Sequence, residues 1–284
     1  MADLTIHFDF NNLTLAFTSS LSRILERAAF SLHAVDSASV NPGQLPNIAG
    51  PVPSPQFQPR PIEEIRLDVR GRLVRDAMRE CVEELSRFLE HTRRTCAAVA
   101  LSTRGTVTAK EWADAVEEPA TRFDRLTLPD KITRLRTDYG PNILHDLIDQ
   151  ISTLNVLRNC LVHGHGVVRR KDCNDGDRLV ARWKYMKIIA RAPDGQERDI
   201  EMNMLLGAGT QLIARHVEEQ RAFALNERVQ LFETDLAGIF FTFHFFGVGT
   251  AQRVVDFAHS HGFTIGTPDA PEGTSSPNTD AGQR

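Results

Sequence analysis

Four cysteines in 284 residues, Cys81, Cys96, Cys160 and Cys173, are few and scattered, and no two of them form a C-x-x-C pair. That pattern argues against a disulfide framework and a zinc knuckle, and a reducing cytoplasmic setting is the simplest one for such thiols. Positive charge is not in excess either. With 33 Lys and Arg against 37 Asp and Glu, the net charge is −4, so any contact with nucleic acid must be local. Long apolar runs are missing: the strongest, "LAGIFFTFHFFGV" from Leu236 to Val248, falls short of the roughly 20 residues that cross a bilayer and contains His244. It reads as a core helix, and no membrane association is expected. The opening MADLTIHFDF has acidic residues and no basic segment ahead of an apolar one, so no secretory leader is expected. A serine nucleophile elbow, a phosphate-binding glycine loop and a dinucleotide fingerprint are absent, and "GAGT" at 207–210 is too short to stand for one. No internal repeat is found.

What is present is ordinary globular composition, 41% hydrophobic and 25% charged, enough for one large domain or two small ones. Leu15, Phe17, Leu21, Ile24, Leu25 and Phe30 have helical spacing and predict a first helix over 14–34. From Asp36 to Pro61 the chain is rich in Pro, Ser, Asn and Gly and reads as a connecting loop. A long helix then begins at Pro61, with apolar positions from Ile65 to Leu89, and tolerates Gly71. Its arginines are matched by Glu and Asp at short spacing, as on a solvated face. Further helical segments are expected near Ala109 to Phe123 and Asp130 to Tyr139, then a break at "YGPN" and a new helix from Pro141 or Asn142. "RLVARWKYMKIIARA", "PDG" and "RDIEMNM" predict a β-hairpin turning at Asp194 and Gly195. Helical spacing returns over Gly209 to Asn226, Val229 to Phe246 and Ala251 to His261, and the apolar-poor tail from Thr267 should be disordered. The expected class is mainly α. Its segments are an N-terminal helix and Pro-rich loop (1–61), a helical core (62–168), a β-hairpin (169–205), C-terminal helices (206–266) and a disordered tail (267–284).

The stretch "LRNCLVHGHGVV", 157–168, carries the most chemistry. On the helix that begins near Asn142, Leu144, Leu147, Ile148 and Ile151 stack on one side, and the same side continues as Asn155, Arg158, Asn159 and Val162. Leu154, Leu157 and Leu161 carry burial onto the adjacent face. A guanidinium cannot shed its proton, so beside a packed surface it needs a phosphate or a carboxylate. His163 follows Asn159 by four residues, and Gly164 is suited to end the helix, so Arg158, Asn159 and His163 are expected to line one rim. The plainer explanation is that Arg158 and His163 complement the negative end of the helix dipole while Asn155 and Asn159 cap neighbouring loops.

"LNVLRNCLVHGHGVV", with its leucine-rich approach "ILHDLIDQISTL" and the preceding "YGPN", resembles the signature helix end of HEPN domains. Their motif is an arginine, a polar residue that is often Asn, and a histidine four to six positions after the arginine. The resemblance covers about 62–168 and implies a HEPN-like up-and-down helical bundle that forms a homodimer, here with an added β-hairpin and further C-terminal helices. Active members of that family are metal-independent endoribonucleases of toxin, antiphage or RNA-processing systems. The implied partners are therefore a second copy, RNA, and an antitoxin or other defence-system protein, with no cofactor. Carried over, Arg158 would hold the scissile phosphate, Asn159 would position it, and His163 would move protons as the ribose 2′-hydroxyl attacks, leaving a 2′,3′-cyclic phosphate and a 5′-hydroxyl. Asn155 and His165 are auxiliary candidates. Some HEPN toxins carry a tyrosine two residues beyond the motif histidine that receives adenylate; His165 stands there, so that modification is not expected. The alternative is a non-catalytic partner-binding or regulatory scaffold of the same fold.

Two more features carry weight. The pair His163 and His165 is followed by "KDCNDGD", which departs from the calcium-loop pattern, so no metal site is expected. Arg169, Arg170, Lys171, Arg182 and Lys184, with Trp183 between them, form a basic segment with an interleaved aromatic, as single-stranded RNA requires; a charged edge hairpin protected from aggregation is the equal alternative.

Overall fold

A computed structural model of the chain describes residues 10–39, 60–200 and 204–263. Among them the protein is mainly helical, with one three-stranded antiparallel sheet. Helix α1 (Phe10–Ser37) buries Phe17, Leu21, Ile24, Ala28 and Leu32, whose spacing of three and four places them in one stripe. Helix α2 (Ile62–Ser102) follows Pro61, whose missing N–H has no intrahelical acceptor to lose at a helix start. Burial along α2 is uneven. From Val74 onward it packs against α1, α6 and α7, whereas Leu67 and Val69 in its first turns are exposed.

A Thr108–Glu111 capping box opens α3 (Ala109–Trp112), which runs through a π-turn (Ala113–Glu117) into α4 (Glu118–Asp124). Thr127 caps α5 (Leu128–Tyr139), and Gly140 ends it. Helices α6 (Ile148–His163) and α7 (Glu233–Ser260) flank the sheet. Strands β1 (Arg178–Arg191), β2 (Glu197–Asp199) and β3 (Gln211–Ala224) lie in the order β2-β1-β3, and β1 pairs with β3 without interruption from Arg178↔Ala224 to Arg191↔Gln211. The β1–β2 hairpin turns at Asp194 and Gly195, as predicted, with Gly195 at φ 84°.

The other edge of β1 is closed by side chains. Asn174 exchanges hydrogen bonds with Val180, the Thr153 hydroxyl of α6 accepts from the Arg182 N–H at 3.0 Å, and the Thr242 hydroxyl of α7 accepts from the Lys184 N–H at 2.8 Å. Those two threonines let a strand edge run between two helices without leaving its amides unpaired. One core then draws together α1, α2, α5, α6, β1 and α7. Among the described residues no helix is long and apolar enough to cross a membrane.

Three expectations need correction. The segment expected as a helix over Gly209 to Asn226 is strand β3: Ile213, Val217 and Arg221 recur every fourth residue, which fits one face of a strand as well as a helix, and the partner strand β1 decides the matter. The two expected C-terminal helices are one, α7, because Gly247 and Gly249 make room rather than break it. A Cβ at 247 would stand 2.1 Å from Phe17 Cε1, and one at 249 the same distance from His145 Cδ2. Helix α6 starts at Ile148, not at Pro141 or Asn142, since the His145 N–H is drawn to the Thr250 hydroxyl of α7 at 3.1 Å and Ile143, Leu144 and Leu147 are buried in turns. The expected tail from Thr267 and residues 40–59 of the expected loop lie outside the described residues.

Candidate functional site

Helix α6 places Leu154, Leu157 and Leu161 in the core, together with Ile151 and Cys160. At ~100° per residue, Arg158 projects between Leu154 and Leu161 on one side and Asn155 and Val162 on the other, the middle of the buried face. Asn155 is buried, and Arg158, Asn159 and Val162 are half-buried. The polar continuation of an apolar stripe is thus present, although Leu144 and Leu147 do not belong to that helix. Arg158 donates from Nη1 to Asn159 Oδ1 at 3.0 Å, while its Nε is buried without a partner. No carboxylate among the described residues forms an ion pair with it. Burial pushes the neighbouring Cys160 thiol up to about 11, so this helix presents no thiolate near neutral pH.

His163 sits elsewhere. It is exposed and stands roughly 140° round the helix axis from Arg158. Within one chain the two groups therefore do not share the rim that the spacing suggested. The helix end itself is well built: the Gly164 N–H donates to the Cys160 carbonyl at 2.9 Å, and a Cβ at 164 would approach that oxygen to 2.6 Å and the Val167 carbonyl to 2.9 Å. Clearance is what requires glycine there. His165 follows in the left-handed region at φ 52°, then Gly166 at φ 76°. The exit is pinned to the segment after β3 by three backbone hydrogen bonds, Val168 to Glu227, Asn226 to Val168 and Val229 to Gly166.

The basic segment divides into spent and unspent cations. Arg169 ties the helix end to a 3-10 turn (Arg170–Asp172), donating from Nη1 to the His163 carbonyl at 2.9 Å and from Nε to buried Asp172 at 3.0 Å. Arg170 pairs with Asp177. Lys171, Arg182 and Lys184 form no side-chain ion pair among the described residues. Trp183 cannot stack on a base in this fold, because it is fully buried against α7 with its ring on Gly238. Sequence reasoning placed it among exposed cations because strand alternation had not been assigned to a face; Lys184 and Arg182 lie on one side of β1 and Trp183 on the other. Among the described residues no three His, Cys, Asp or Glu side chains gather as a metal site.

Sequence reasoning missed a cleft of about 480 Å³ between the first turns of α2 and the pinned exit of α6. Arg72, Arg75, His165, Arg228 and Phe232 line it, and Gly71 forms part of its floor. The available signal was "VRGRLVR", a glycine flanked by arginines inside a long helix.

Comparison with family models, with curated proteins and with solved structures finds no match to this chain.

Proposed function

We propose that the protein is a metal-independent endoribonuclease of HEPN type, working as a homodimer in toxin or antiphage defence. The observation that carries this reading is Arg158, a permanent cation on the buried face of α6 with a desolvated Nε and no anionic partner. Such a group costs about 1–3 kcal/mol while unsatisfied, and a phosphate oxygen satisfies it. Arg158 holds the scissile phosphate, and Asn159, bonded to it, fixes the angle of the guanidinium. His163 of a second copy takes the proton from the ribose 2′-hydroxyl as O2′ bonds to phosphorus. The P–O5′ bond breaks, O5′ takes a proton from water, and the imidazolium of His163 returns its proton to the solvent. The products are a 2′,3′-cyclic phosphate and a 5′-hydroxyl, and an exposed imidazole, which can both accept and donate a proton, suits the transfer. The fixed guanidinium stabilises the charge of the five-coordinate phosphorus. Because His163 stands away from Arg158 within one chain, the centre is composite and forms only between two copies.

The test is incubation of total RNA with purified protein in a chelator, comparing wild type with His163→Ala and mapping product ends. Cleavage with cyclic-phosphate ends that His163→Ala abolishes supports the reading, and intact RNA with wild type at all concentrations overturns it. The separation of Arg158 from His163 favours a second reading, a non-catalytic scaffold that binds an antitoxin or other defence protein. A stable dimer with no cleavage of any RNA would select it.

A further inference from the structure

Gly71 has no packing reason to be glycine. It sits within the 41-residue helix α2, where glycine costs roughly 0.5–1 kcal/mol relative to alanine, and a Cβ built on it would meet nothing within 4 Å. What the missing side chain does provide is the open floor of the cleft between α2 and the exit of α6. The opposite wall is rigid, since the ladder between 166–168 and 226–229 fixes the backbone there, and His165 is held at its rim in a left-handed conformation that a non-glycine residue rarely adopts.

Charge in the cleft is unbalanced. Arg70 is already committed to Asp36 and Glu233, and Asp68, the one acid lining it, is bound by Arg60 at 2.6 Å. Arg75 has no ion pair among the described residues, Arg72 has only a loose one to Asp76 at 3.9 Å, and Arg228 lies 3.5 Å from the occupied Asp68. With His165, these groups present several cationic donors to a space of about 480 Å³, inside the range of roughly 300–1,000 Å³ typical of ligand pockets. Apolar surface adjoins them: Leu67 and Phe232 are both exposed at its border. Cations beside an exposed aromatic suit a phosphate joined to a flat ring.

We propose that this cleft binds a nucleotide, its phosphate on Arg72, Arg75 and Arg228 and its base against Phe232, with Gly71 kept small to admit it. The inference deepens the RNA reading and rests on it for the polymer form of the ligand, the same chemistry being offered by a free mononucleotide. Binding is measured on the full chain carrying His163→Ala, so that cleavage cannot consume the probe, using a short labelled oligouridylate, AMP and inorganic phosphate. Saturable binding is expected that falls at least tenfold in Gly71→Leu, which fills the floor with a good helix former, and in Arg75→Glu, with no loss of helical circular dichroism and no fall in melting temperature in either. Binding of the oligonucleotide alone assigns the cleft to a strand, and equal binding of AMP assigns it to a free nucleotide. Binding of phosphate as tightly as AMP, absence of binding by all three probes, or binding unaltered in both variants overturns the proposal. Intact RNA with wild-type protein alongside cleft-dependent binding would sink only the cleavage reading; RNA cleavage with no cleft-dependent binding would sink only this one.

Discussion

Lys131 and Arg158 both lie against buried surface, and the protein treats the two cations in opposite ways. Lys131 of α5 is 1% exposed, and its Nζ is closed on all sides, donating to Ser86 Oγ at 2.7 Å and Glu90 Oε1 at 2.5 Å with the Phe123 ring 5.6 Å away. Arg158 of α6 has one neutral partner, Asn159, and a buried Nε that donates to nothing. A structural charge is neutralised by the fold that buries it. Half-buried Arg158 keeps a donor unspent, as Arg93 does at 4% exposure with its Nε unpartnered, so the comparison is between a charge the fold neutralises and one it leaves open.

The largest expected effect breaks the satisfied member. Lys131→Ala leaves Glu90, 21% exposed, without its counter-ion, and removing one partner of a buried pair costs about 3–5 kcal/mol. The lower end applies because Glu90 retains some water. Urea denaturation should show that loss, and Lys131→Met with Glu90→Leu should recover most of it; a single-variant loss under about 1 kcal/mol would mean that the pair is incidental.

Arg158 should behave in the reverse manner. Arg158→Met removes a donor that costs about 1–3 kcal/mol while unsatisfied, so stability is expected to hold or rise, while the proposed RNA cleavage falls by about 100-fold or more. Arg158→Lys should not restore cleavage, since a compact ammonium lacks the planar fork that meets two phosphate oxygens. An Arg158→Met protein that unfolds as readily as Lys131→Ala would place both cations in the same structural role and remove the contrast.

The helices were largely legible in the sequence because their apolar residues fall in stripes, as at Phe17, Leu21 and Ile24, although Leu15 and Phe30, read into the same stripe, are exposed. Strand β3 was not, because a spacing of four satisfies both periods and only its pairing with β1 distinguishes them. Asn155 and Arg158 were readable as polar groups on a buried face, since that depends on a single helix. His163 lies five residues beyond Arg158, which advances a side chain to another face of the helix, so a rim shared within one chain does not follow from the spacing. Gly71 between its arginines was visible locally, but the cleft above it was not: the opposing wall comes from residues 165–166 and 228–232, brought there by the strands between them.

Glycine offers a smaller version of the same contrast. A Cβ at Gly238 would stand 2.4 Å from Trp183 Cδ1, so Gly238→Ala forces helix and strand apart and is expected to cost about 1–3 kcal/mol. Gly71→Ala meets nothing and should raise stability by roughly 0.5–1 kcal/mol. Melting temperatures moving in opposite directions would separate a glycine required by packing from one that keeps a cleft open; a fall in both would tie Gly71 to the core.

The smallest expected effect concerns the third kind of interior cation, one that can disappear. The His145 ring lies near Phe245, centroid to centroid 6.3 Å, with Gly249 against it and its Nδ1 buried without a partner. Burial lowers its pKa; Arg253, Lys184 and His216 act in the same direction, and Asp146 opposes them. The unfolded chain takes up this proton near pH ~6.5 and the folded chain only below that, so its contribution to stability is complete above about pH 6.5 and is lost as pH falls toward the folded value. Denaturation midpoints should therefore drop between about pH 7.5 and pH 5.5, and His145→Gln should drop less over the same interval; equal slopes would mean that the ring charges freely in the fold. A half-buried imidazole escapes an unsatisfied charge by releasing its proton. Arg158 has no such route: a guanidinium keeps its proton, so its Nε remains an unpartnered donor across the same pH interval.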